Sequence, residues 1–132
     1  MNSHYFFRFV KNKSILVQLL GMVPHSELPK ILSTCHIFLN TALTEAFCIA
    51  ICEAVRMGLS VVSSNVGGIP EVLPPELATL SSPTVTDLLE NLKVTIENII
   101  STKDSNRREV SKLAHTRYNW DQICEKTDLI YM

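Results

Sequence analysis

With 132 residues the chain has room for one ordinary domain built on a single core. Apolar residues make up 46% and charged residues 19%, which excludes a disordered tail. Twelve basic against thirteen acidic side chains give a net charge of -1, so no global field draws the chain to nucleic acid or to an anionic membrane, and any anion site must be local.

The opening MNSHYFFRFVKNK carries a short aromatic patch interrupted by Arg8, without the longer apolar run and small-residue cleavage site of a secretory signal. SILVQLL, from Ser14 to Leu20, is short, mostly apolar and closed by Gly21; it predicts a first strand, buried on both faces of a parallel sheet. Ser26 is positioned to cap a short helix on which Leu28, Ile31, Leu32 and Cys35 recur at helical spacing, with Pro29 tolerated in the first turn. HIFLN, from His36 to Asn40, predicts a second strand running into the polar loop TALTE.

A second helix is predicted from Phe47 to Met57 and stopped by Gly58, and SVVSS, from Ser60 to Ser64, predicts a third strand entering the glycine-bearing loop NVGG. Strands alternating with helices over short connections make the class α/β, with a parallel Rossmann-like sheet covered on both faces. Past Pro83 the pattern is helical: Thr86 is the expected cap of a segment carrying Leu88, Leu89, Leu92, Ile96, Ile99 and Ile100 along one side. KDSNRRE is a charged break, and Trp120, Ile123, Cys124, Thr127 and Tyr131 mark a last amphipathic helix.

Cys35, Cys48, Cys52 and Cys124 lack the paired spacing of a zinc site or a disulfide framework and are expected to be reduced core thiols. His4, His25, His36 and His115 show no metal-ligand spacing, although His25 lies in a strand-end loop. No window approaches the ~20 apolar residues of a spanning helix, so the chain is expected to be soluble or peripheral.

Ligands of parallel α/β sheets bind beyond the carboxyl ends of the strands, which directs attention to Gly21–Ser26, Thr41–Ala46 and Asn65–Pro70. Glu53 is the anomaly of an otherwise apolar helix. A buried carboxylate is costly, so Glu53 must reach a cation, hydroxyl donors or the surface. Two readings stand: a surface ion pair with Arg56, three residues on, or hydrogen bonds to a ligand's vicinal hydroxyls. Glu45 precedes the same helix and gains from its dipole, while the free amides of Phe47, Cys48 and Ile49 form a phosphate-ready terminus. Gly67 and Gly68 permit either close backbone approach to a ligand or an ordinary tight turn, and Glu71 reads as a cap or a surface residue.

LTEAFCIAICEA, with its Glu-x7-Glu spacing, resembles the motif of retaining glycosyltransferases of the two-Rossmann architecture called GT-B. LGMVPHSELPKIL, HIFLNTALTEAF and SSNVGGIPEVLP stand in the order found in that family, and within its family-four branch these segments and YNWDQICEKTDLIY look most like the catalytic subunits of phosphatidylinositol N-acetylglucosaminyltransferases. The resemblance runs from about Ile15 to Tyr131. It implies a partial nucleotide-sugar-binding domain over residues 14–132, ending in helices, after an atypical segment at 1–13.

By resemblance, Glu45 contacts the donor sugar, Glu53 the ribose, the amides of Phe47, Cys48 and Ile49 the diphosphate, and the loop at Met22 and Val23 the uracil. The implied reaction moves N-acetylglucosamine from UDP-GlcNAc to phosphatidylinositol with retention and without a metal, as the first step of glycosylphosphatidylinositol-anchor synthesis on the cytoplasmic face of the endoplasmic reticulum. The implied partners are UDP-GlcNAc, the phosphatidylinositol acceptor and the other subunits of the membrane complex. The family's acceptor-binding Rossmann domain, its Arg/Lys phosphate pair and its membrane anchor are not matched in the chain, which is therefore expected to be a truncated form, inactive alone. Two other readings are a noncatalytic interaction module of the same complex and a different family-four transferase.

Overall fold

Val61 and Val62, β-branched and buried, belong to Ser60–Ser64, the middle strand of the main sheet. The computed structural model describes residues 5–7, 17–102 and 107–131. Its elements are β1 (Tyr5–Phe7), β2 (Val17–Leu19), a 3-10 turn (His25–Glu27), α1 (Leu28–Ser33), β3 (Ile37–Asn40), α2 (Ile49–Arg56), β4 (Ser60–Ser64), α3 (Ile69–Val72), β5 (Ala78–Ser81), α4 (Val85–Thr102), α5 (Arg107–Arg117) and α6 (Trp120–Tyr131).

β3, β4 and β5 form a parallel sheet in that order, with Asn40 opposite Ser63 and Ser64 opposite Ser81 at the carboxyl ends. Val61, Val62, Ser63 and Ser64 are all buried. Successive strand residues point to opposite faces, so both faces of β4 are covered, as expected for a parallel sheet. The core joins Ile51, Ala54 and Val55 of α2 to Leu59, Val61, Ile69, Val72, Leu73, Leu77 and Ala114. Each of the larger aliphatic side chains among these contributes roughly 1.5–3 kcal/mol when fully buried.

The first expected strand is corrected. Only Val17–Leu19 of it is described as strand; it pairs antiparallel with β1 in a separate two-stranded sheet, and Gln18, Leu19 and Leu20 are exposed. Ser14 to Leu16 lie outside the described residues, as does most of the 1–13 segment apart from β1. A short apolar run specifies strand geometry but not its partner, and an antiparallel neighbour close in sequence is easily reached.

The caps also shift. Ser26 lies within the 3-10 turn and makes no cap; the N-cap of α1 is Glu27, with Pro29 in the first turn as expected. For α4 the capping hydroxyl belongs to Thr84, whose Oγ1 accepts from the Asp87 amide at 3.2 Å, and Thr86 is the second residue of the helix. The packed side of α4 runs through Leu88, Leu92, Thr95 and Ile99, whereas Leu89, Ile96 and Ile100 are exposed. Thr95 is accommodated because its hydroxyl donates to the Asn91 carbonyl at 2.8 Å. β5, α3 and α5 have no counterpart among the elements expected from the sequence.

α5 holds the C-terminal end of α2. Arg56 donates to the Tyr118 carbonyl at 2.6 Å and lies 3.0 Å from Nδ1 of His115, while Ser111 donates to the Arg56 carbonyl at 2.8 Å. Gly58 ends α2 with φ +78°, in the left-handed region expected of it, and a β-carbon there would stand 2.6 Å from the Arg107 carbonyl oxygen. All four cysteines are free, but only Cys35, Cys48 and Cys52 are partly buried; Cys124 is exposed on α6, which corrects its reading as a core thiol. Among the described residues no helix is long and apolar enough to cross a membrane, and no group of three or more His, Cys, Asp or Glu could hold a metal ion.

Candidate functional site: the strand-end loops around α2

Two loops, Thr41–Ala46 after β3 and Asn65–Pro70 after β4, lie at the carboxyl end of the three-stranded sheet, and polar groups hold them there. Asn40 Nδ2 donates to Ser63 Oγ at 3.0 Å, Asn40 Oδ1 accepts from the Ala42 amide at 3.3 Å, and Ser64 Oγ donates to the Ala42 carbonyl. The Asn65 amide donates to the Ser81 carbonyl at 2.7 Å, so each loop is tied to the strand beside it. Ser63 and Ser64 are wholly buried, and a buried hydroxyl needs such partners. Periodicity alone makes SVVSS an ordinary strand; the two adjacent hydroxyls at its end are the signal that it does more.

The Asn65–Pro70 loop packs directly under the Thr41–Ala46 loop. The Gly68 amide donates to the Glu45 carbonyl at 3.1 Å. A β-carbon on Gly67 would overlap the Glu45 carbonyl oxygen, and one on Gly68 would overlap that of Ala46. What this pair approaches closely is the protein's own backbone, at Glu45 and Ala46. Gly67 also has φ +54°.

α2 starts two residues later than expected, at Ile49. Cys48 is its N-cap, with φ +61° and ψ +74°, the left-handed conformation at a non-glycine residue. Such backbone strain costs on the order of 1–3 kcal/mol and concentrates at functional sites. The Phe47 amide is therefore not a helical N–H. It donates weakly, at 3.4 Å, to Glu45 Oε1, which also accepts from the Ala46 amide at 2.9 Å. The first-turn amides, left without intrahelical carbonyls by geometry, begin at Ile49.

Glu45 thus lays its carboxylate over the amides preceding α2, where an anionic ligand would accept the same donors. Burial pushes the Cys48 thiol above its ordinary range; the Ile51 amide opposes this, and the nearby Glu45 carboxylate adds to the rise. Cys52, one turn on, is likewise raised by burial first and then by Cys48 and Glu53.

Glu53 does not pair with Arg56, whose guanidinium is engaged by Tyr118 and His115. Its Oε1 instead lies 2.6 Å from Nε2 of His25, with the Glu53 side chain 29% exposed and that of His25 80% exposed. The ion-pair reading with Arg56 is overturned because α5, unseen in the sequence, offers that arginine a carbonyl and an imidazole. The contact brings the Met22–His25 loop to α2; Val23 is half-buried and Met22 fully exposed.

Beside the glycines, a cleft of about 640 Å³ is lined by Ala46, Phe47, Gly68, Arg117, Gln122 and Lys126 among others. Its two cations come from α5 and α6 and do not stand out in the sequence, since they lie roughly 50 to 80 residues from the loops they face.

The fold is found in solved structures. The chain superposes on Anabaena Alr3699/HepE in complex with UDP with a TM-score of 0.64 at 22% identity, covering 79% of this chain and 30% of that one. It superposes on the sucrose-phosphate synthase of Thermosynechococcus elongatus with a TM-score of 0.61 at 26% identity, covering 84% and 28%. Residues 10–116 match the family described as Glycosyl transferases group 1. The chain belongs to this glycosyltransferase family.

Among curated members it is 44% identical over 115 residues to a subunit of the human phosphatidylinositol N-acetylglucosaminyltransferase, covering 87% of this chain and 24% of the relative. The corresponding Arabidopsis thaliana protein is 43% identical over 115 residues, and the gpi3 subunit of Schizosaccharomyces pombe 34% over 118. The chain spans about a quarter of the length of these glycosyltransferase subunits.

Proposed function

We propose that this chain is the donor-binding part of a retaining glycosyltransferase that moves N-acetylglucosamine from UDP-GlcNAc to phosphatidylinositol, the first step of glycosylphosphatidylinositol-anchor synthesis. The observation that carries the reading is the placement of Glu45 and Glu53 on either side of one strained helix start, in a chain 44% identical to a transferase subunit of that name. The family match and the UDP-bound structural neighbour support a nucleotide-sugar ligand.

In this reading the diphosphate takes the amides around Phe47, Cys48 and Ile49, where the helix dipole favours negative charge. The ribose meets Glu53, the uracil the backbone at Met22 and Val23, and the sugar Glu45, which must turn away from the Ala46 and Phe47 amides. Gly67 and Gly68 let the third loop close under this site. No divalent ion takes part. The 132 residues are expected to bind donor without transferring it, since transfer further requires an acceptor held in line with the bound sugar. It works at the cytoplasmic face of the endoplasmic reticulum with other subunits of the complex.

Calorimetric titration with UDP-GlcNAc, with and without a chelator, together with a transfer assay to phosphatidylinositol, tests this. Binding unaffected by the chelator and weakened roughly tenfold by Glu53→Gln is expected, the size of a lost hydrogen bond to a charged group. Absence of binding overturns the donor reading, and robust transfer by the 132 residues overturns the inactivity.

A second reading is favoured by α6, whose described residues, Asp121 to Ile130, are all exposed, including Ile123, Leu129 and Ile130. A noncatalytic module would use this apolar surface to dock within a membrane complex. Co-purification with partner subunits that survives Glu45→Gln and Glu53→Gln but fails on Ile123→Asp with Ile130→Asp would favour it. A third reading keeps the chemistry but changes the substrates, to those of another family-four transferase; competition between UDP-GlcNAc and other nucleotide sugars separates it.

A further inference from the structure

Nothing in the family match concerns the short contact between His25 and Glu53. An ionised carboxylate only accepts, so the ring nitrogen facing it, Nε2, carries the hydrogen and donates at 2.6 Å. The two residues come from segments 28 positions apart: the turn that follows Met22 and Val23, and the middle of α2. That turn is internally braced, the Glu27 amide donating to the Pro24 carbonyl at 2.9 Å. His25 is thus the side chain through which the loop after β2 touches the acid of α2.

We infer that His25 is a positioning and specificity-determining residue: by fixing the Glu53 carboxylate against α2 it presets the acceptor for the vicinal diol of a ribonucleotide and selects ribose over deoxyribose. The inference rests on the reading of Glu53 as the ribose ligand given above. A carboxylate offers about four lone-pair positions, and a single imidazole N–H takes one of them. Both oxygens therefore remain able to accept the two hydroxyls of a vicinal diol. Without His25 the flexible Glu53 side chain must be ordered at the moment of binding, which lowers affinity.

The pair is too exposed to contribute much to folding, so variants at His25 should remain folded. His25 touches no reacting atom; it acts through Glu53.

The test uses the 132-residue chain, with uridine diphosphate and 2′,3′-dideoxyuridine diphosphate as probes in calorimetry. His25→Ala is expected to weaken uridine diphosphate roughly three- to tenfold and to leave the dideoxy analogue unchanged. His25→Gln, whose amide can still donate to the carboxylate, is expected to recover most of the loss. Equal weakening of both probes would assign His25 a merely structural role and overturn the inference while leaving the donor reading intact. Failure of the unaltered chain to bind uridine diphosphate would overturn the donor reading and the diol role together. A nuclear Overhauser contact between the His25 ring and the Glu53 methylenes is expected in the unliganded chain; its absence overturns the positioning contact whatever binds.

Discussion

Gly67 passes so close beneath Glu45 that a β-carbon on the glycine would overlap the Glu45 carbonyl oxygen, while the neighbouring Gly68 amide donates to that same oxygen at 3.1 Å. The loop that carries the first glutamate is therefore seated on the loop after β4. Its position depends on the absence of two methyl groups.

Gly67→Ala is expected to destabilise the chain by about 2–5 kcal/mol, combining the left-handed φ penalty with steric displacement of backbone. Gly21→Ala is the control: Gly21 also has positive φ, +65°, but open space around it, so only about 1–2 kcal/mol is at stake. Urea unfolding of both variants measures the difference, and equal effects would show that the glycine–glutamate approach contributes nothing beyond φ.

Cys48 carries the same backbone problem without being a glycine. Cys48→Gly should relieve strain at its left-handed φ and offset the loss of a half-buried side chain, leaving stability within about 1 kcal/mol of the parent. Cys48→Val is apolar but somewhat larger and adds a branched β-carbon where the backbone is least tolerant, and is expected to cost about 2 kcal/mol more. Urea midpoints of the two variants decide this; a stable valine variant would show that Cys48 is not strained in solution.

How far this site can be read from sequence depends on what each residue's role requires. Glu45 and Glu53 stand out because a charge beside or within an apolar helix is conspicuous at any range, and the parallel sheet with its strand-end loops follows from alternating apolar runs. The partner of Glu53 is not legible. His25 lies 28 residues away, and only the fold brings it within 2.6 Å, whereas Arg56 at three residues is the cheaper local guess. The start of α2 is misplaced for a related reason: apolar periodicity continues through Phe47 and Cys48, and nothing in a cysteine announces a left-handed backbone. β5 and α5 escape because ATLS is too short to show alternation and the second half of KDSNRRE reads as a linker until Arg107 is seen against the Met57 and Ser33 carbonyls.

Arg56 has a structural task. Its guanidinium spans the Tyr118 carbonyl and the His115 ring, and its own carbonyl is capped by Ser111, so it joins α2 to the end of α5. Arg56→Ala is expected to cost about 1.5–3 kcal/mol, the range of a hydrogen bond to a charged donor. Arg56→Lys should recover little, because an ammonium cannot reproduce the planar fork toward two acceptors. Thermal unfolding of the two variants provides the measurement, and full recovery by lysine would reduce Arg56 to a point charge.

Above about pH 9 the chain should lose stability in a way traceable to three groups. Burial holds the Cys48 and Cys52 thiols and the Tyr118 phenol in their neutral forms beyond their ordinary range, with neighbouring acidic groups adding to the rise and Arg117 opposing it at Tyr118. Below the unfolded pKa values each is protonated in both states, and its contribution is fully present. As the pH rises, the unfolded chain ionises first, so the equilibrium moves toward it, and the contribution is lost progressively up to the raised folded values. The urea midpoint is therefore expected to fall as the pH rises above about 9, and to fall less in a Cys52→Ala, Tyr118→Phe variant. Alkylation at about pH 7.5 gives an independent reading: exposed Cys124 should react first, with Cys48 and Cys52 slower by about tenfold or more, because only the thiolate is nucleophilic. Equal alkylation rates, or a midpoint that does not move with pH, would mean that the two thiols beside Glu45 and Glu53 are open to solvent and that the α2 terminus is less closed than its hydrogen bonds indicate.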